Sequence, residues 1–161
     1  PGAGGYSRKD LEGVEAQARL FGAKGLVWVR VRDGEIQSSI RKVISDAEAQ
    51  ALVERLGLAE GDLGLIVAGP WATALSALGA VRLHMGDRLG LRDPSKMSFV
   101  WVTDFPMFEV SEEEKRLVAV HHPFTMPRPE DLDVLSGDAP QDACALAYDV
   151  VMNGIEVGGG S

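Results

Sequence analysis

The sequence has 161 residues, of which 45% are hydrophobic and 25% charged, a composition typical of a folded globular chain with one ordinary domain or two small ones. Its formal net charge of −8 argues against nonspecific nucleic-acid binding by the whole surface, although a local basic patch is compatible with it. The single cysteine, Cys144, excludes an internal disulfide framework and a cysteine-based metal cluster, and it favours a reduced, cytoplasmic setting.

Targeting signals are not evident in the sequence. No apolar run approaches the roughly 20 residues of a membrane-spanning helix, and the N-terminus lacks a basic-then-apolar leader. We therefore expect no membrane partner. The chain opens on Pro-Gly-Ala-Gly-Gly without an initiator methionine, and we interpret it as a piece of a larger protein.

The chain begins with patterns of a helix and a hairpin. Ser7 and Asp10 have the spacing of a helix cap, and the helix they open is predicted to run to about Gly22. Its apolar residues recur on one face, at Leu11, Val14, Ala18 and Phe21. An alternating stretch then turns at Asp33-Gly34, which predicts a two-residue β-hairpin.

A second helix, a strand and a third helix follow. Ser45 and Glu48 form the pattern of a capping box, and Gly57 is predicted to end that helix. Residues 63–69 predict a short buried strand, and Pro70 opens a long helix rich in small residues. The order helix, hairpin, helix, strand, helix predicts a compact α+β unit.

After a polar break at residues 91–96 the pattern changes to strands. Residues 97–110 predict one strongly apolar strand inside a core, followed by a charged loop tip and a returning strand. A proline-rich crossing comes next, with one helical turn near residues 129–135. Two last strands flank Asn153-Gly154, a strong hairpin signal. A sheet this apolar and this short needs partners beyond those the sequence supplies.

The closing hairpin predicts a chemical site. A two-residue turn would place Val150 opposite Val157 and Asp149 opposite Gly158. Because side chains alternate across a strand, the carboxylates of Asp149 and Glu156 then share one face, roughly 6–8 Å apart at their Cβ atoms.

Bare backbone would continue that face at Gly158 and Gly160. Two carboxylates beside bare backbone suit a hard cation that bridges to a polyanion, such as Mg²⁺ with phosphate. From the spacing alone, a packing point between strands flanked by solvated acids is the favoured interpretation.

Two further groups of residues have both a functional and a structural interpretation. His121 and His122 are adjacent on a predicted strand, so one faces a pocket and the other packs inward; an imidazole there could bind a substrate carboxylate or be purely structural. A modest basic cluster (Arg30, Arg32, Arg41, Lys42) could contact phosphate or be ordinary solvated charge.

Three ordered stretches carry a family resemblance: FVWVTDFPMFE from residue 99, VHHPFTMPRPEDLD from residue 120 and AYDVVMNGIEVGGGS from residue 147. Together they resemble the bacterial type of aspartyl-tRNA synthetase, a class II enzyme that activates aspartate with ATP and loads it onto tRNA. The first part, with GLIVAGP and ALGAVRLHMGDRLGL, is similar to the GAD domain, an insertion in those synthetases.

The resemblance implies an α+β fold in two parts. Residues 1–93 would be a GAD-type insertion domain with helices on a small mixed sheet, and residues 94–161 part of the class II antiparallel catalytic sheet. It implies that Asp149 and Glu156 hold the Mg²⁺ of ATP and that His121 reaches the bound L-aspartate. It also implies that backbone lines the adenylate pocket at Gly158, Gly159 and Gly160.

The resemblance further implies ATP, L-aspartate and tRNA as partners, and a homodimeric, cytoplasmic parent enzyme. The family arginines that bind the substrate and the ATP phosphates fall outside these residues, so no catalytic residue is assigned and we expect the chain alone to be inactive. The alternatives are a GAD-type module that binds tRNA or a protein partner without chemistry, and an unrelated α+β domain.

Overall fold

The computed structural model describes residues 1–111 and 113–161. The chain divides into two compact units, Pro1–Arg92 and Asp93–Ser161. Both contain helices and antiparallel strands, so the predicted α+β class is confirmed. No helix among the described residues combines the length and apolarity that crossing a membrane requires.

The first unit has the predicted order of elements: α1 Arg8–Leu20, β1 Val27–Arg32, β2 Glu35–Ser38, α2 Asp46–Leu56, β3 Leu63–Ile66 and α3 Trp71–Arg88. Its sheet has the order β2-β1-β3, and both pairings are antiparallel. The prediction of a mixed sheet is therefore wrong, since β1, β2 and β3 form only antiparallel pairs. The chain crosses from β2 to the far edge of β1 through α2, so the two strands that run in the same direction are not neighbours.

Local side-chain chemistry sets the helix ends as predicted. The Asp10 N–H donates to Ser7 Oγ over 3.3 Å, and the Ser7 N–H donates to Asp10 Oδ2 over 3.0 Å. The same reciprocal capping box joins Ser45 and Glu48 at the start of α2. Gly57 ends α2 in the left-handed conformation with φ of 62°, which a glycine adopts without strain.

The core of the first unit lies between α1 and α3. Its buried members are small and aliphatic: Val14, Ala18, Ala23, Leu26, Ala77 and Val81. The predicted apolar face of α1 is confirmed at Leu11, Val14 and Ala18, but it is wrong at Phe21. The helix ends at Leu20, and Phe21 lies in the cap with non-helical dihedral angles and is 48% exposed.

The second unit contains β4 Phe99–Val102, β5 Phe108–Ser111, β6 Arg116–Ala119, a 3₁₀ turn Pro129–Asp131, α4 Leu132–Leu135, a 3₁₀ turn Pro140–Asp142, β7 Tyr148–Met152 and β8 Ile155–Gly160. The strands form a sheet of order β4-β7-β8 and a separate ribbon of β5 and β6. The predicted helical turn near residues 129–135 is confirmed. Part of the predicted charged loop tip, Glu112, lies outside the described residues.

The prediction of one buried strand over residues 97–110 is wrong on both points. Asp104 has a φ of 60°, which extended backbone does not tolerate, so the chain breaks into β4 and β5 there. All four side chains of β4 are exposed within this chain, including Trp101 at 64%. The predicted shortage of covering partners for this sheet agrees with that exposure.

Leu26 and Leu20 offer a matched test of the core of the first unit, because Leu26 is 6% exposed and Leu20 is 75% exposed. We expect Leu26→Ala to lower the free energy of unfolding by about 2–5 kcal/mol through a cavity. Leu20→Ala should change it by no more than about 0.5 kcal/mol. Denaturant unfolding followed by circular dichroism measures both, and equal losses would contradict this core.

The Asp10 cap predicts a pH dependence of stability. Hydrogen bonds from Ser7, and then from Arg88, lower the pKa of Asp10 to about 2 from its ordinary value of 3.8. A carboxylate with a depressed folded-state pKa stabilises the fold above its ordinary pKa, and this contribution is lost as the pH falls through about 2. The stability difference between the wild type and Asp10→Asn should therefore be largest near neutral pH and shrink towards pH 2.

Urea unfolding of both proteins at several pH values measures this difference. Ser7→Ala should weaken the pH dependence, because it removes the first donor to the carboxylate. A wild-type to Asp10→Asn difference that is the same at all pH values would contradict the assignment.

Candidate functional site

The candidate site is built on the hairpin of β7 and β8. Asn153 and Gly154 form its turn with φ angles of 51° and 86°, the left-handed pair that a two-residue hairpin requires. The Asn153 side chain also accepts from the Ser98 N–H and donates to the Lys96 carbonyl, both over 2.9 Å. The turn is thereby held against the chain that leads into β4.

A β-bulge changes the register of this hairpin. Val151 lies opposite Glu156 as predicted, but Val150 lies opposite Gly158 and Asp149 opposite Gly159. Val157 is the additional residue on β8. The predicted pairings of Val150 with Val157 and of Asp149 with Gly158 are therefore wrong, because uninterrupted alternation cannot account for an inserted residue.

The two carboxylates nevertheless converge on one face, as predicted. A Cβ atom placed on Gly159 would lie 2.6 Å from Asp149 Oδ1 and 3.3 Å from Glu156 Oε1. Asp149 is half-buried and Glu156 exposed. Across residues 1–111 and 113–161, neither carboxylate has a hydrogen-bond or ion-pair partner, so two unneutralised acids lie above bare backbone.

The glycine beneath the acids is not the one predicted. Gly159 faces them, whereas a Cβ on Gly160 would lie 2.8 Å from the Tyr148 hydroxyl on the other face. A Cβ on Gly158 would have no atom within 4 Å. The bulge shifts the pairing by one residue. The glycine that lies beneath the carboxylates is therefore Gly159, and not Gly158 and Gly160 as predicted.

The opposite face of this sheet is apolar and aromatic. The rings of Trp101 and Tyr148 lie 5.4 Å apart between their centroids. Phe99 and Ile155, which flank Met152 across the sheet, are both more than 60% exposed. The sheet thus has one face with acids and one face with aromatic and aliphatic side chains.

The two histidines lie in different surroundings. His121 is half-buried and presents an edge-to-face contact with Phe105, with 5.6 Å between ring centroids. Its buried Nε2 has no hydrogen-bond partner among the described residues. His122 is exposed, and its Nδ1 accepts from the Phe124 N–H over 3.3 Å.

The histidine segment also meets the end of β8. The hydroxyl of the buried Thr125 donates to Ser161 Oγ over 3.2 Å. No hydrogen bond or ion pair among the described residues joins His121 to Asp149 or Glu156. The structure therefore brings the two acids together directly, and it ties the chain after the histidines to the end of the glycine-rich strand.

The described residues offer a metal ion pairs of carboxylates but no larger ligand cluster. No cluster of three or more histidine, cysteine, aspartate or glutamate side chains suited to a metal ion occurs in the described part of the chain. A pair of carboxylates does not enclose Ca²⁺ or Zn²⁺, which take a larger set of protein ligands. It does suit Mg²⁺, which keeps several waters and takes one or two carboxylates together with phosphate oxygens.

The basic cluster of the first unit is largely engaged in structure. Arg30 donates to the carbonyls of Gly4 and Tyr6 and to Gln37, and its guanidinium lies over the Trp28 ring. Arg41 forms an ion pair with Asp46, and Arg32 one with Asp33. The structural interpretation of these arginines is therefore favoured over a phosphate-binding face.

Sequence reasoning missed one polar cluster in the second unit. Arg128 contacts two carboxylates, Asp104 over 2.6 Å and Asp131 over 2.9 Å. The pattern Arg-Pro-Glu-Asp at residues 128–131 contained the second contact, since positions three apart face each other in a helical turn. The contact with Asp104 spans 24 residues and has no local signal.

Comparison with known proteins gives the family context. Residues 1–78 match the GAD domain family. All 161 residues are 54% identical to aspartate–tRNA(Asp/Asn) ligase of Moorella thermoacetica, of which they cover 27%. The identity is 46% to aspartate–tRNA(Asp/Asn) ligase of Bacillus subtilis and 44% to aspartate–tRNA ligase of Staphylococcus carnosus, over 99% and 97% of this chain and 27% and 26% of those proteins.

The chain is homologous to a segment of aspartate–tRNA ligases. The resemblance predicted from its three sequence stretches is therefore confirmed. The chain spans about a quarter of the length of the curated relatives that it matches. The similarity continues through the second unit, beyond the residues matched by the GAD family, so a GAD-type module without catalytic residues is not favoured.

The glycines of β8 provide a matched test of the site geometry. Gly159→Ala would force a methyl group into the Asp149 carboxylate and to 3.0 Å from the Tyr148 carbonyl. We expect this variant to lose about 1–3 kcal/mol of unfolding free energy through overpacking. Gly158→Ala, where the space is open, should change it by no more than about 0.5 kcal/mol.

Thermal or denaturant unfolding of the two variants measures this difference. The amide exchange rate of Asp149 gives a local readout, since a displaced β8 weakens its pairing with β7. If Gly158→Ala is the more damaging variant, the hairpin has the unbulged register instead.

Proposed function

We propose that this chain forms part of the site at which an aspartate–tRNA ligase activates L-aspartate with ATP. In this proposal residues 1–93 are the GAD-type insertion domain and residues 94–161 are part of the class II catalytic sheet. The observation that carries it is the convergence of two unpaired carboxylates over Gly159, within a chain 54% identical to such a ligase.

Asp149 and Glu156 would hold Mg²⁺ together with the phosphates of ATP. Their oxygens reach the same small volume, and they have no cationic partner among the described residues. When bound, Mg²⁺ would neutralise phosphate charge and orient the α-phosphate. The residues of the chain contribute by fixing where the metal-bound phosphates lie relative to β8.

His121 would contact the carboxylate of L-aspartate. Its buried Nε2 has no partner in the described structure, and a buried polar atom of this kind is usually satisfied by a ligand or water. The edge contact with Phe105 restricts rotation of the ring. A protonated or neutral imidazole N–H at this position can donate to a carboxylate oxygen.

Gly158, Gly159 and Gly160 would form the surface against which the adenylate lies. A side chain at Gly159 would stand between the nucleotide and the backbone, and it would also meet the carboxylates above this position. The proposal extends to tRNA as the acceptor of the aspartyl group, and to a cytoplasmic, homodimeric whole protein.

A chimera tests the function directly. The segment of the Moorella thermoacetica ligase that matches this chain is replaced by the chain itself, and aspartate-dependent exchange between ATP and pyrophosphate is measured. We expect exchange with the wild-type chain and a fall of roughly 100-fold or more in kcat/KM with Glu156→Gln, because the metal ligand is lost. Higher Mg²⁺ concentrations should partly restore activity.

Glu109→Gln is the control, since Glu109 is an exposed acid on β5. It should leave exchange unchanged within about twofold. Full activity of the Glu156→Gln chimera would refute the assignment of the acids. The 161-residue chain by itself should show no exchange, because its two acids have no guanidinium beside them among the described residues to stabilise charge developing at phosphorus.

A further inference from the structure

Three separate segments of the second unit are joined by the side chains of Arg128 and Asp131. Arg128 Nη1 donates to Asp104, just after β4, and Arg128 Nε donates to Asp131 in the following 3₁₀ turn. The same Asp131 oxygen, Oδ2, accepts from the Cys144 N–H over 2.8 Å. We call Arg128, Asp104, Asp131 and the Cys144 backbone the Arg128 cluster.

Backbone hydrogen bonds reinforce the same junction. The Arg128 N–H donates to the Cys144 carbonyl over 2.9 Å, and the Leu146 N–H donates to the Met126 carbonyl over 2.7 Å. The Ala145 N–H donates to the Phe105 carbonyl, also over 2.7 Å. Thus the chain after β4, the chain after the histidines and the chain before β7 form one connected arrangement.

The cluster is connected through neighbouring residues to both parts of the proposed site. Phe105, next to Asp104, contacts the His121 ring. Val102 at the end of β4 lies opposite Asp149 in the sheet. The chain from Cys144 leads into β7 four residues later. A displacement at Arg128 would therefore be transmitted to the imidazole along one path and to the first carboxylate along another.

The chemistry of the cluster requires arginine. Its guanidinium reaches two different carboxylates from two of its nitrogens, a fork that a lysine ammonium cannot reproduce with the same geometry. Asp131 is only 8% exposed, so removal of its partner would leave a buried charge unpaired. In agreement, the hydrogen bond from Arg128, followed by that from Cys144, lowers the pKa of Asp131.

We propose that Arg128 is a positioning residue that fixes the separation between His121 and the carboxylates of Asp149 and Glu156. This inference rests on the proposed function, in which His121 contacts aspartate and the two acids bind metal-bound ATP. In this proposal Arg128 contacts Asp104 and Asp131 and does not contact either substrate. Its contribution is to keep the residue that binds aspartate at a fixed distance from the residues that bind ATP.

A positioning role predicts unequal effects on the two substrates. β7 is held in its sheet by β4 and β8 as well as by the Arg128 cluster, whereas the segment of His121 has fewer strand contacts of its own. Loosening the cluster should therefore move the imidazole more than the carboxylates. The KM for aspartate should rise while the KM for ATP changes little.

The first part of the experiment uses the full 161-residue chain. Amide hydrogen exchange is measured for the wild type, Arg128→Lys and Asp131→Asn, with Arg116→Lys as the control because its ion pair with Glu114 is exposed. We expect roughly tenfold or faster exchange at Cys144 and Ala145 in the two cluster variants, with the helices of the first unit unchanged. Unchanged exchange at Cys144 would overturn the inference.

The second part introduces the same substitutions into the chimera with the Moorella thermoacetica ligase. We expect Arg128→Lys to raise the KM for aspartate by about 10- to 100-fold and to leave the KM for ATP within about twofold. Asp104→Asn added to Arg128→Lys should cause little further loss, since both remove the same contact. Arg116→Lys should behave as the wild type.

The outcomes separate the two proposals. If the wild-type chimera lacks exchange activity, the proposed function fails and the positioning inference fails with it. If the wild-type chimera is active but Arg128→Lys leaves both KM values unchanged, or raises both equally, only the positioning inference is overturned.

Discussion

The space above Gly159 constrains the hairpin of β7 and β8, because two carboxylate oxygens lie where a side chain would need room. Like charges that share so small a volume repel each other, and no cation among the described residues offsets that repulsion. The hairpin turn and the bulge at Val157 hold the acids in place against it. A bound cation would compensate this charge, and this is the basis of our proposal that the two carboxylates hold metal-bound phosphate.

The same strands explain why the acidic face is accessible. Phe99, Trp101, Tyr148 and Ile155 project to the opposite face, where they remain exposed in this chain. An apolar area of this kind typically marks an interaction surface. The sheet can therefore be covered on its aromatic face while the face above Gly159 stays open to a ligand, an asymmetry that follows from the alternation of Tyr148 and Asp149 along β7.

Features with a local cause could be predicted from the sequence. The capping boxes at Ser7 and Ser45 and the turn at Asn153 depend on residues within three or four positions, and all three are confirmed. The bulge, the break at Asp104 and the exposure of β4 depend on pairing and packing across the chain, which periodicity does not encode. The prediction that Asp149 and Glu156 share one face is correct although the predicted register is wrong. The bulge lies beyond Glu156, which stays opposite Val151, two residues from Asp149.

Asp131 on the one hand, and Asp149 and Glu156 on the other, show two contrasting environments for carboxylates in the second unit, and the contrast bears on function. Asp131 receives a guanidinium and a backbone N–H, so its charge is fully compensated within the chain. Asp149 and Glu156 receive neither in the described structure. A fold that only required stability would pair all its acids or place them apart in water. The two adjacent unpaired acids, beside a strand without side chains, support the proposal that their charge serves a ligand, whereas the paired Asp131 stabilises the chain around them.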